Sequence, residues 1–347
     1  MPQAAISLPE VDQVKVTLIV DNSVDLLLAD SEVAKRFPRG PHSFEQSLPL
    51  AEHGFSALIR VSQGSQEGTV LLDAGFSRQA LLHNLDVLGV DAVDIQAIVL
   101  SHGHADHTMG LTGLLERLGE RNVRLVLHPD AYLERKTVVP SGAENYLPPL
   151  RKADLQRENV VIAEEAGPSM LVDGMLLVSG QVARTTDFET GVADHYAKRD
   201  GAWEPDRLIM DDQCVIAHVR GKGLVIVTGC GHAGIINIIR HAQRLTGVEP
   251  VYAVLGGFHL SGRLFEPIIP ATTTALQDIA PRYVMPGHCT GWSATHQIAQ
   301  ALPEAFIPSS VGTTLVLQGT SEELLAQATD ENQHREIDTG SPTGNEA

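Results

Sequence analysis

Short apolar runs rich in β-branched residues alternate along this chain with stretches whose apolar residues recur at helical spacing. This alternation predicts an α/β fold in which strands and helices follow one another. The predicted strands cover residues 14–20, 55–61, 69–73, 95–100, 123–127, 214–219, 224–227 and 251–255. The predicted helices cover residues 77–88, 108–118, 235–245 and 272–279. The polar, glycine-containing residues 63–68 and 220–223 predict two hairpin turns.

Two stretches lack this regular pattern. Residues 132–207 contain scattered prolines and a charged run, which predicts an irregular insertion whose loops cover a site. Residues 321–347 are polar and acidic, and we expect a disordered tail there. The pattern over residues 12–320 predicts a single domain.

Composition narrows the possible partners. With 43% hydrophobic residues in a chain of 347, a large core can be buried. The 43 acidic and 25 basic residues give a formal net charge of −18, which disfavours nucleic acid because nucleic-acid-binding surfaces are basic. No apolar run reaches the roughly 20 residues of a membrane span, and residues 1–9 lack a signal-peptide pattern. Three cysteines indicate a reducing, cytoplasmic compartment, and Cys214 lies in a predicted core strand.

The most distinctive polar cluster directly follows a predicted strand. Three imidazoles and a carboxylate fall within six positions, on His102, His104, Asp106 and His107. Gly103 lets the backbone turn tightly, so that the flanking histidines can face one point. Imidazole and carboxylate ligands suit zinc, iron or manganese, and four such donors exceed what one catalytic metal takes from so short a segment. The cluster therefore predicts two divalent metal ions close together, with zinc as the leading identity.

This cluster resembles the signature of the metallo-β-lactamase superfamily. Three further segments resemble motifs of that superfamily in the expected order, namely residues 69–75 around Asp73, residues 224–230 ending at Cys230, and residues 283–288 ending at His288. The resemblance extends over about residues 14–317. It implies an α/β fold of the αββα sandwich type, with the metals at one sheet edge.

Finer motifs at residues 52–56, 228–234, 256–260 and 286–291 occur together in this chain. They resemble the branch that contains the 7,8-dihydropterin-6-yl-methyl-4-(β-D-ribofuranosyl)aminobenzene 5′-phosphate synthases, together with relatives of unassigned activity. Since one scaffold hosts many chemistries, this resemblance is a firmer guide to fold than to activity.

The resemblance also implies a set of metal ligands. One metal would be held by His102 and His104, and the other by Asp106, His107 and His288. The histidine that usually completes the first site has no counterpart in residues 176–185, which contain none. His232 is a candidate replacement, with Cys230 at the bridging position, where a thiolate would favour zinc. The alternatives are that His232 only lines the pocket and that Cys230 is a packing residue.

Other residues near these motifs are candidates for roles around the metals. Asp73 is expected to accept a hydrogen bond from a metal-bound imidazole and so fix its orientation. Asp106, His53 and His259 are the candidate catalytic residues, the two histidines as substrate contacts or proton donors. A purely structural role is the alternative for both histidines. The remaining histidines are interpreted as structural or exposed, namely His42, His83, His128, His195, His218, His241 and His296.

The predicted metals suggest the chemistry. Two divalent ions can activate a shared water and stabilise the oxygens of a carbonyl or phosphoryl group. The small residues 229–234 precede a predicted helix, whose open N–H groups would suit a phosphate or carboxylate. We therefore expect a hydrolase that acts on a small anionic phosphoester or ester. The resemblance implies one alternative, a transferase that displaces diphosphate from a dihydropterin-methyl diphosphate. A non-catalytic ligand-binding or sensor protein is the other.

Overall fold

The computed structural model describes residues 5–38, 40 and 45–320. The predicted tail at residues 321–347 lies outside the described residues. In chain order the strands are β1 (Glu10–Val11), β2 (Gln13–Val20), β3 (Ala34–Lys35), β4 (Ser56–Gln63), β5 (Gln66–Leu72), β6 (Ala97–Val99), β7 (Val123–Leu127), β8 (Arg135–Val138), β9 (Glu144–Leu147), β10 (Val160–Glu164), β11 (Ser169–Leu171), β12 (Leu176–Val178), β13 (His195–Arg199), β14 (Ala202–Pro205), β15 (Cys214–Val219), β16 (Gly223–Thr228), β17 (Val251–Gly257), β18 (Tyr283–Gly287) and β19 (Thr314–Gln318).

Seven α-helices connect these strands within the described ranges. They are α1 (Arg78–Val87), α2 (Ala105–Thr108), α3 (Leu111–Leu118), α4 (Lys152–Leu155), α5 (Ile235–Thr246), α6 (Ile269–Ile279) and α7 (Trp292–Ala301). The single helix predicted for residues 108–118 is divided at Gly110, where an added Cβ would lie 2.0 Å from the carbonyl oxygen of Ala74. Of the helices in the described part of the chain, none is long and apolar enough to cross a membrane.

One large sheet has eight strands in the order β10-β7-β6-β5-β4-β2-β19-β3. Strands β10, β7, β6 and β5 pair in parallel, as expected when helices provide the connections. Along β5 the side chains alternate between two cores. Val70 and Leu72 face the second large sheet, whereas Leu71 packs in the core that includes α1 and α3.

The second large sheet has seven strands, with β11-β12-β15-β16-β17-β18 in order and β1 paired with β15. In β16, Val225 and Val227 face the first sheet, while Leu224 and Ile226 pack in the core that includes α5, α6 and α7. Both faces of the strand are therefore buried, which explains its continuous apolar sequence. Helices thus cover the outer face of each sheet, and the predicted αββα sandwich is confirmed.

Residues 132–207 include seven strands, β8 to β14, which the sequence pattern did not predict. Strands β14, β13, β8 and β9 make a four-stranded antiparallel sheet, named here the small sheet. Its strand β8 carries Arg135 and Lys136, both buried. Arg135 forms ion pairs, and the ammonium of Lys136 lies 4.7 Å from the centre of the Trp203 ring. Because charged residues occupy the buried positions, apolar periodicity could not mark these strands.

The ends of several strands meet at one edge of the sandwich. Candidate residues follow five of these strands. Asp73 follows β5, His102 follows β6, Cys230 follows β16, His259 follows β17 and His288 follows β18. Strand ends of this kind are where open α/β sheets place ligands.

Candidate metal centre

A cavity of about 580 Å³ opens at this edge of the sandwich. Its wall includes residues from both large sheets and from the small sheet. Among the lining residues are Asn22, His53, His104, Asp106, Thr137, His195, Cys230, His232, His259, His288 and Cys289.

Three imidazoles form the first cluster at the base of the cavity, named here the first tripod. Nε2 of His232 lies 3.2 Å from Nε2 of His102 and 3.1 Å from Nδ1 of His104. All three rings are buried, and their burial, reinforced by neighbouring cationic groups, holds the pKa of each well below 6.5. Three neutral imidazoles therefore direct nitrogens at one point. Nitrogen ligands about 2.1 Å from a tetrahedral zinc stand roughly 3.4 Å apart, so a metal ion fits this tripod.

The second tripod consists of Asp106, His107 and His288. Nε2 of His107 lies 3.1 Å from Nε2 of His288, and these atoms lie 3.7 and 3.3 Å from Oδ2 of Asp106. Burial of Asp106 acts to raise its pKa. The nearby imidazoles outweigh burial and hold the pKa of Asp106 well below its usual range. Burial of the His107 ring acts to lower its pKa. The nearby carboxylates of Asp106 and Asp73 outweigh burial and raise this pKa to about 9. The local field thus favours a positive charge, which a metal cation would provide.

Asp73 orients two of the ligand candidates. Its Oδ2 accepts hydrogen bonds from Nδ1 of His107 at 2.7 Å and from Oγ of Ser101 at 2.7 Å. The single hydroxyl hydrogen of Ser101 is thereby used, so Nδ1 of His102, at 2.9 Å, donates to that hydroxyl. In the neutral rings, this chain of hydrogen bonds places the hydrogen on Nδ1 of both His102 and His107, so that Nε2 of each can bind a metal ion.

Asn22 orients His288 and His53, as Asp73 orients His107 and His102. Its Oδ1 accepts from Nδ1 of His288 at 3.1 Å, which leaves Nε2 of that ring facing the second tripod. Its Nδ2 donates to Nδ1 of His53 at 3.3 Å. Nε2 of His53 then carries the proton when the ring is neutral, and it lies 3.5 Å from Oδ2 of Asp106. Asn22 therefore sets the tautomer of two candidate residues.

Cys230 lies between the tripods. Its sulfur and the ligand nitrogens of His102 and His107 are within 4.8 Å of one another. The sulfur is also 3.3 Å from Nδ1 of His259 and 3.0 Å from the sulfur of Cys289. Burial, together with Cys289, raises the pKa of the Cys230 thiol well above its ordinary value. A thiolate at this position thus requires a cation beside it.

Comparisons with known proteins agree with this architecture. A family model described as the metallo-beta-lactamase superfamily matches residues 51–175, which include the loop with His102 and His107. An uncharacterized protein of Methanocaldococcus jannaschii, MJ0448, is 34% identical over 259 residues, which are 72% of this chain and 89% of that protein. The chain belongs to the metallo-beta-lactamase superfamily.

Two further proteins are similar to this chain over most of its length. A protein of the same organism, named 7,8-dihydropterin-6-methyl-4-(beta-D-ribofuranosyl)-aminobenzene-5'-phosphate synthase, is 28% identical over 74% of this chain and 87% of its own length. The solved structure of Tm1679, described as a metal-dependent hydrolase of the beta-lactamase superfamily, superposes with a TM-score of 0.65 at 23% identity. That match covers 89% of this chain and all of Tm1679. The family predicted from the sequence motifs is confirmed.

The first tripod differs from the superfamily pattern that the sequence motifs imply. Residues 176–185 contribute no histidine, and β12 occupies their first part. His232 instead approaches from the loop after β16, opposite His102 and His104. The structure thus brings together every sequence-predicted ligand candidate, and it places His232 beside His102 and His104.

Three of the site residues adopt left-handed backbone conformations. The φ angles are 59° at Asp73, 43° at His259 and 47° at His288. Such conformations cost of order 1–3 kcal/mol for residues other than glycine and concentrate at functional sites. Strain at these three positions is consistent with a built site rather than a surface loop.

The predicted anion site at the start of α5 is wrong. The buried carboxylate of Glu189 already accepts hydrogen bonds from the N–H groups of Ile236, at 2.9 Å, and Asn237, at 2.8 Å. Asp212 accepts from the N–H of Ala233 at 2.8 Å. Internal carboxylates therefore occupy the helix terminus that the glycine-rich sequence suggested for substrate.

The interpretation of His195 as structural or exposed is also wrong. Its ring lines the cavity, 5.5 Å from the His104 ring and 6.2 Å from the His232 ring. The error follows from the small sheet, because His195 begins β13 in a segment predicted as loops. Other contacts missed from the sequence involve Asn22, Ser101 and Asp211. Ser101 directly follows the strand predicted for residues 95–100, and Asn22 lies two positions after the strand predicted for residues 14–20, so both positions carried a usable signal, whereas Asp211 carried none.

Proposed function

We propose that this chain is a metal-dependent hydrolase with two divalent ions that acts on a small anionic metabolite. The observation that supports it best is the pair of tripods on one cavity. In this proposal His102, His104 and His232 hold one ion, while Asp106, His107 and His288 hold the other. Cys230 contributes a sulfur between them. Nitrogen and sulfur donors favour zinc, with iron or manganese as alternatives.

The bound ions would lower the pKa of a water molecule, and their positive charge would stabilise negative charge on the oxygens of the scissile group. The chain's own residues position the other participants. Asp106 stays ionised because of its imidazole neighbours and can accept a hydrogen bond from water. Asp73, through His107 and Ser101, fixes the tautomer in which Nε2 of His107 and His102 can bind a metal ion.

His53 is the candidate proton donor to the leaving group. It lies at the cavity mouth, where 71% of its side chain is exposed, so a substrate can reach it. Asn22 directs its protonated Nε2 toward the cavity. His259 is the second candidate, since it borders the cavity beside Cys230.

A second, largely apolar cavity suggests what the substrate carries besides its anionic group. It measures about 660 Å³ and shares His195, His259 and Ser261 with the cavity beside the two tripods. Tyr196 and Phe265 are among its lining residues, and Arg263 lies at its border. Small-molecule sites combine apolar walls with a few polar groups in this way. We propose a substrate with an anionic end at the metals and a ring or alkyl group in this cavity.

A transferase is the second candidate function. The 28% identity to the Methanocaldococcus jannaschii synthase extends over 87% of that protein, which supports a related reaction. In that reaction the amine nitrogen of a ribofuranosylaminobenzene phosphate would attack the methyl carbon of a dihydropterin-methyl diphosphate. The C–N bond would form as the C–O bond to diphosphate breaks, and diphosphate and the amine proton would be released. The metals would bind the diphosphate, and the apolar cavity would accept a ring.

One set of measurements separates these candidates. Metal content is measured by elemental analysis on unchelated protein, and turnover is measured on a phosphodiester, a phosphomonoester and a thioester. A dihydropterin-methyl diphosphate is tested with and without a ribofuranosylaminobenzene phosphate acceptor. Hydrolysis without acceptor supports the hydrolase, whereas diphosphate release only with acceptor supports the transferase. Bound metal without turnover on any substrate would favour a sensor, and the absence of metal would contradict both enzyme proposals.

A further inference from the structure

We propose that Cys230 and Cys289 form a reversible disulfide that disables the metal centre under oxidising conditions. Their sulfurs are 3.0 Å apart, which is inside ordinary nonbonded contact. A movement of about 1 Å would bring them to the disulfide bond length of about 2.05 Å. Cys289 also contacts the backbone carbonyl of Cys230, with its sulfur 3.1 Å from that oxygen. Cys289 belongs to neither tripod.

The sheet order brings the two cysteines together. Cys230 follows β16 and Cys289 follows β18, and β17 lies between these strands. The sulfurs meet above the end of β17, at Gly257. An added Cβ on Gly257 would lie 2.8 Å from the Cys289 sulfur and 3.1 Å from Cα of Cys230. Glycine at this position therefore leaves the space that the thiol pair fills.

A small oxidant can reach this pair through the substrate cavity. Both cysteines line the cavity, and Cys289 is partly accessible. Cys214, in contrast, is fully buried within β15 and lines no part of that cavity. The third cysteine thus provides a matched control within the same chain.

The chemistry requires a hydroperoxide as co-reactant. The Cys289 thiolate attacks one oxygen of hydrogen peroxide and breaks the O–O bond, which gives a sulfenic acid and, after protonation, one water. The Cys230 thiolate then attacks that sulfur, the S–S bond forms, and the sulfenic oxygen leaves as a second water. In total two thiols lose two electrons and two protons, and the peroxide becomes two waters. A reducing thiol reverses the step by exchange.

Disulfide formation would change the metal centre directly. Cys230 lies between the tripods, and once bonded to Cys289 its sulfur no longer has the charge of a thiolate. This consequence rests on the proposed metal centre, whereas the cross-link itself depends only on the two cysteines. Disulfides of this transient kind are compatible with a reducing compartment.

The test uses the full chain as purified, treated with a small excess of hydrogen peroxide. Remaining thiols are blocked with N-ethylmaleimide, and tryptic peptides are analysed by mass spectrometry. Trypsin places Cys214, Cys230 and Cys289 in three separate peptides, so each pairing is identified by mass. Released metal is followed with a chromogenic indicator. The same treatment is applied to Cys289→Ser, Cys289→Ala and Cys214→Ser.

We expect a Cys230–Cys289 cross-link that dithiothreitol reverses, with metal release of matching extent. The cross-link should persist in Cys214→Ser, and both Cys289 variants should keep their metal under the same treatment. The proposal is overturned if the two thiols stay free, are oxidised to sulfinic acid without a cross-link, or pair with Cys214. Complete cross-linking with full metal retention would also overturn it. A protein that cross-links but contains no metal as purified would contradict the proposed function alone.

Discussion

The carboxylate of Asp211 accepts a hydrogen bond from the backbone N–H of Gly103, at 2.8 Å, between His102 and His104 of the first tripod. Its other oxygen lies 2.5 Å from Nη2 of Arg135, in the small sheet. Both Asp211 and Arg135 are buried. A side chain has no room at position 103, because an added Cβ on Gly103 would lie 2.0 Å from the carbonyl oxygen of Ala131. Asp211 thus fixes the loop that carries His102 and His104 and joins this loop to the small sheet.

We predict that Asp211→Asn weakens metal binding at the first tripod by about 10- to 100-fold, the usual effect of losing an outer-shell partner. The amide keeps the shape of the side chain but can accept from only one of Gly103 and Arg135. Competition with a chelator of known affinity measures the change. Asp206→Asn is the control, since Asp206 also pairs with Arg135, at 2.9 Å, without contacting Gly103. Equal losses of metal affinity in both variants would mean that the ion pairs of Arg135 act on folding rather than on the loop that carries His102 and His104.

We predict that His102→Ala and Asp106→Ala each lose one or both metals and reduce turnover by more than about 100-fold, exceeding the loss of an outer-shell partner. The fold should persist because both residues lie on a loop and a short helix outside the apolar cores. Metal analysis, circular dichroism and turnover are measured together. His296→Ala serves as the control, because His296 is exposed on α7. Normal metal content in either tripod variant would remove that residue from the centre.

The sequence predicted secondary structure best for strands that are buried on both faces. Strands β7 and β15 have the predicted bounds, because apolar residues on both faces leave little ambiguity. The loop with His102 and His107 was also evident, because its ligand candidates lie within six positions. Local sequence thus determined much of the sandwich and two of the three residues in each tripod.

Residues distant in sequence could not be assigned in the same way. The contact between Gly103 and Asp211 joins positions 108 apart, and no local pattern indicates it. Glu189 reaches the start of α5 from 47 positions before Ile236, so the helix terminus looked open in the sequence. The buried Arg135 has a charged side chain, which in sequence is typical of a solvated loop. These features depend on tertiary pairing of polar groups rather than on periodicity.

Cys230 gives a third prediction, which discriminates a bridging ligand from a packing residue. Cys230→Asp should keep metal binding because a carboxylate can replace the thiolate, whereas Cys230→Ala should weaken it. In the unsubstituted chain, alkylation of Cys230 should be slow with metal bound and fast after chelation. Peptide mass spectrometry measures both rates, with the buried Cys214 as internal reference. Equal rates in the two states would assign Cys230 to packing.

The buried carboxylate of Glu189 predicts how stability depends on pH. Burial raises its pKa from an ordinary 4.5 to about 7, although the N–H groups of Ile236 and Asn237 act in the opposite direction. The folded chain therefore binds this proton more tightly than the unfolded chain. The resulting stabilisation is complete below about pH 4.5 and is lost as the pH rises to about 7. Its upper limit is about 3 kcal/mol, from about 1.4 kcal/mol for each pKa unit.

We expect Glu189→Gln to remove this contribution, because an amide does not titrate. The slope of unfolding free energy against pH, between pH 5 and 7, should then rise by up to about 1.4 kcal/mol per unit relative to the unsubstituted chain. Urea unfolding at several pH values, with the same metal content in both proteins, measures this difference. Glu116→Gln is the matched control, since Glu116 is an exposed carboxylate on α3 paired with Arg78. If Glu189→Gln and Glu116→Gln show the same slope, the carboxylate at the start of α5 does not titrate in this range.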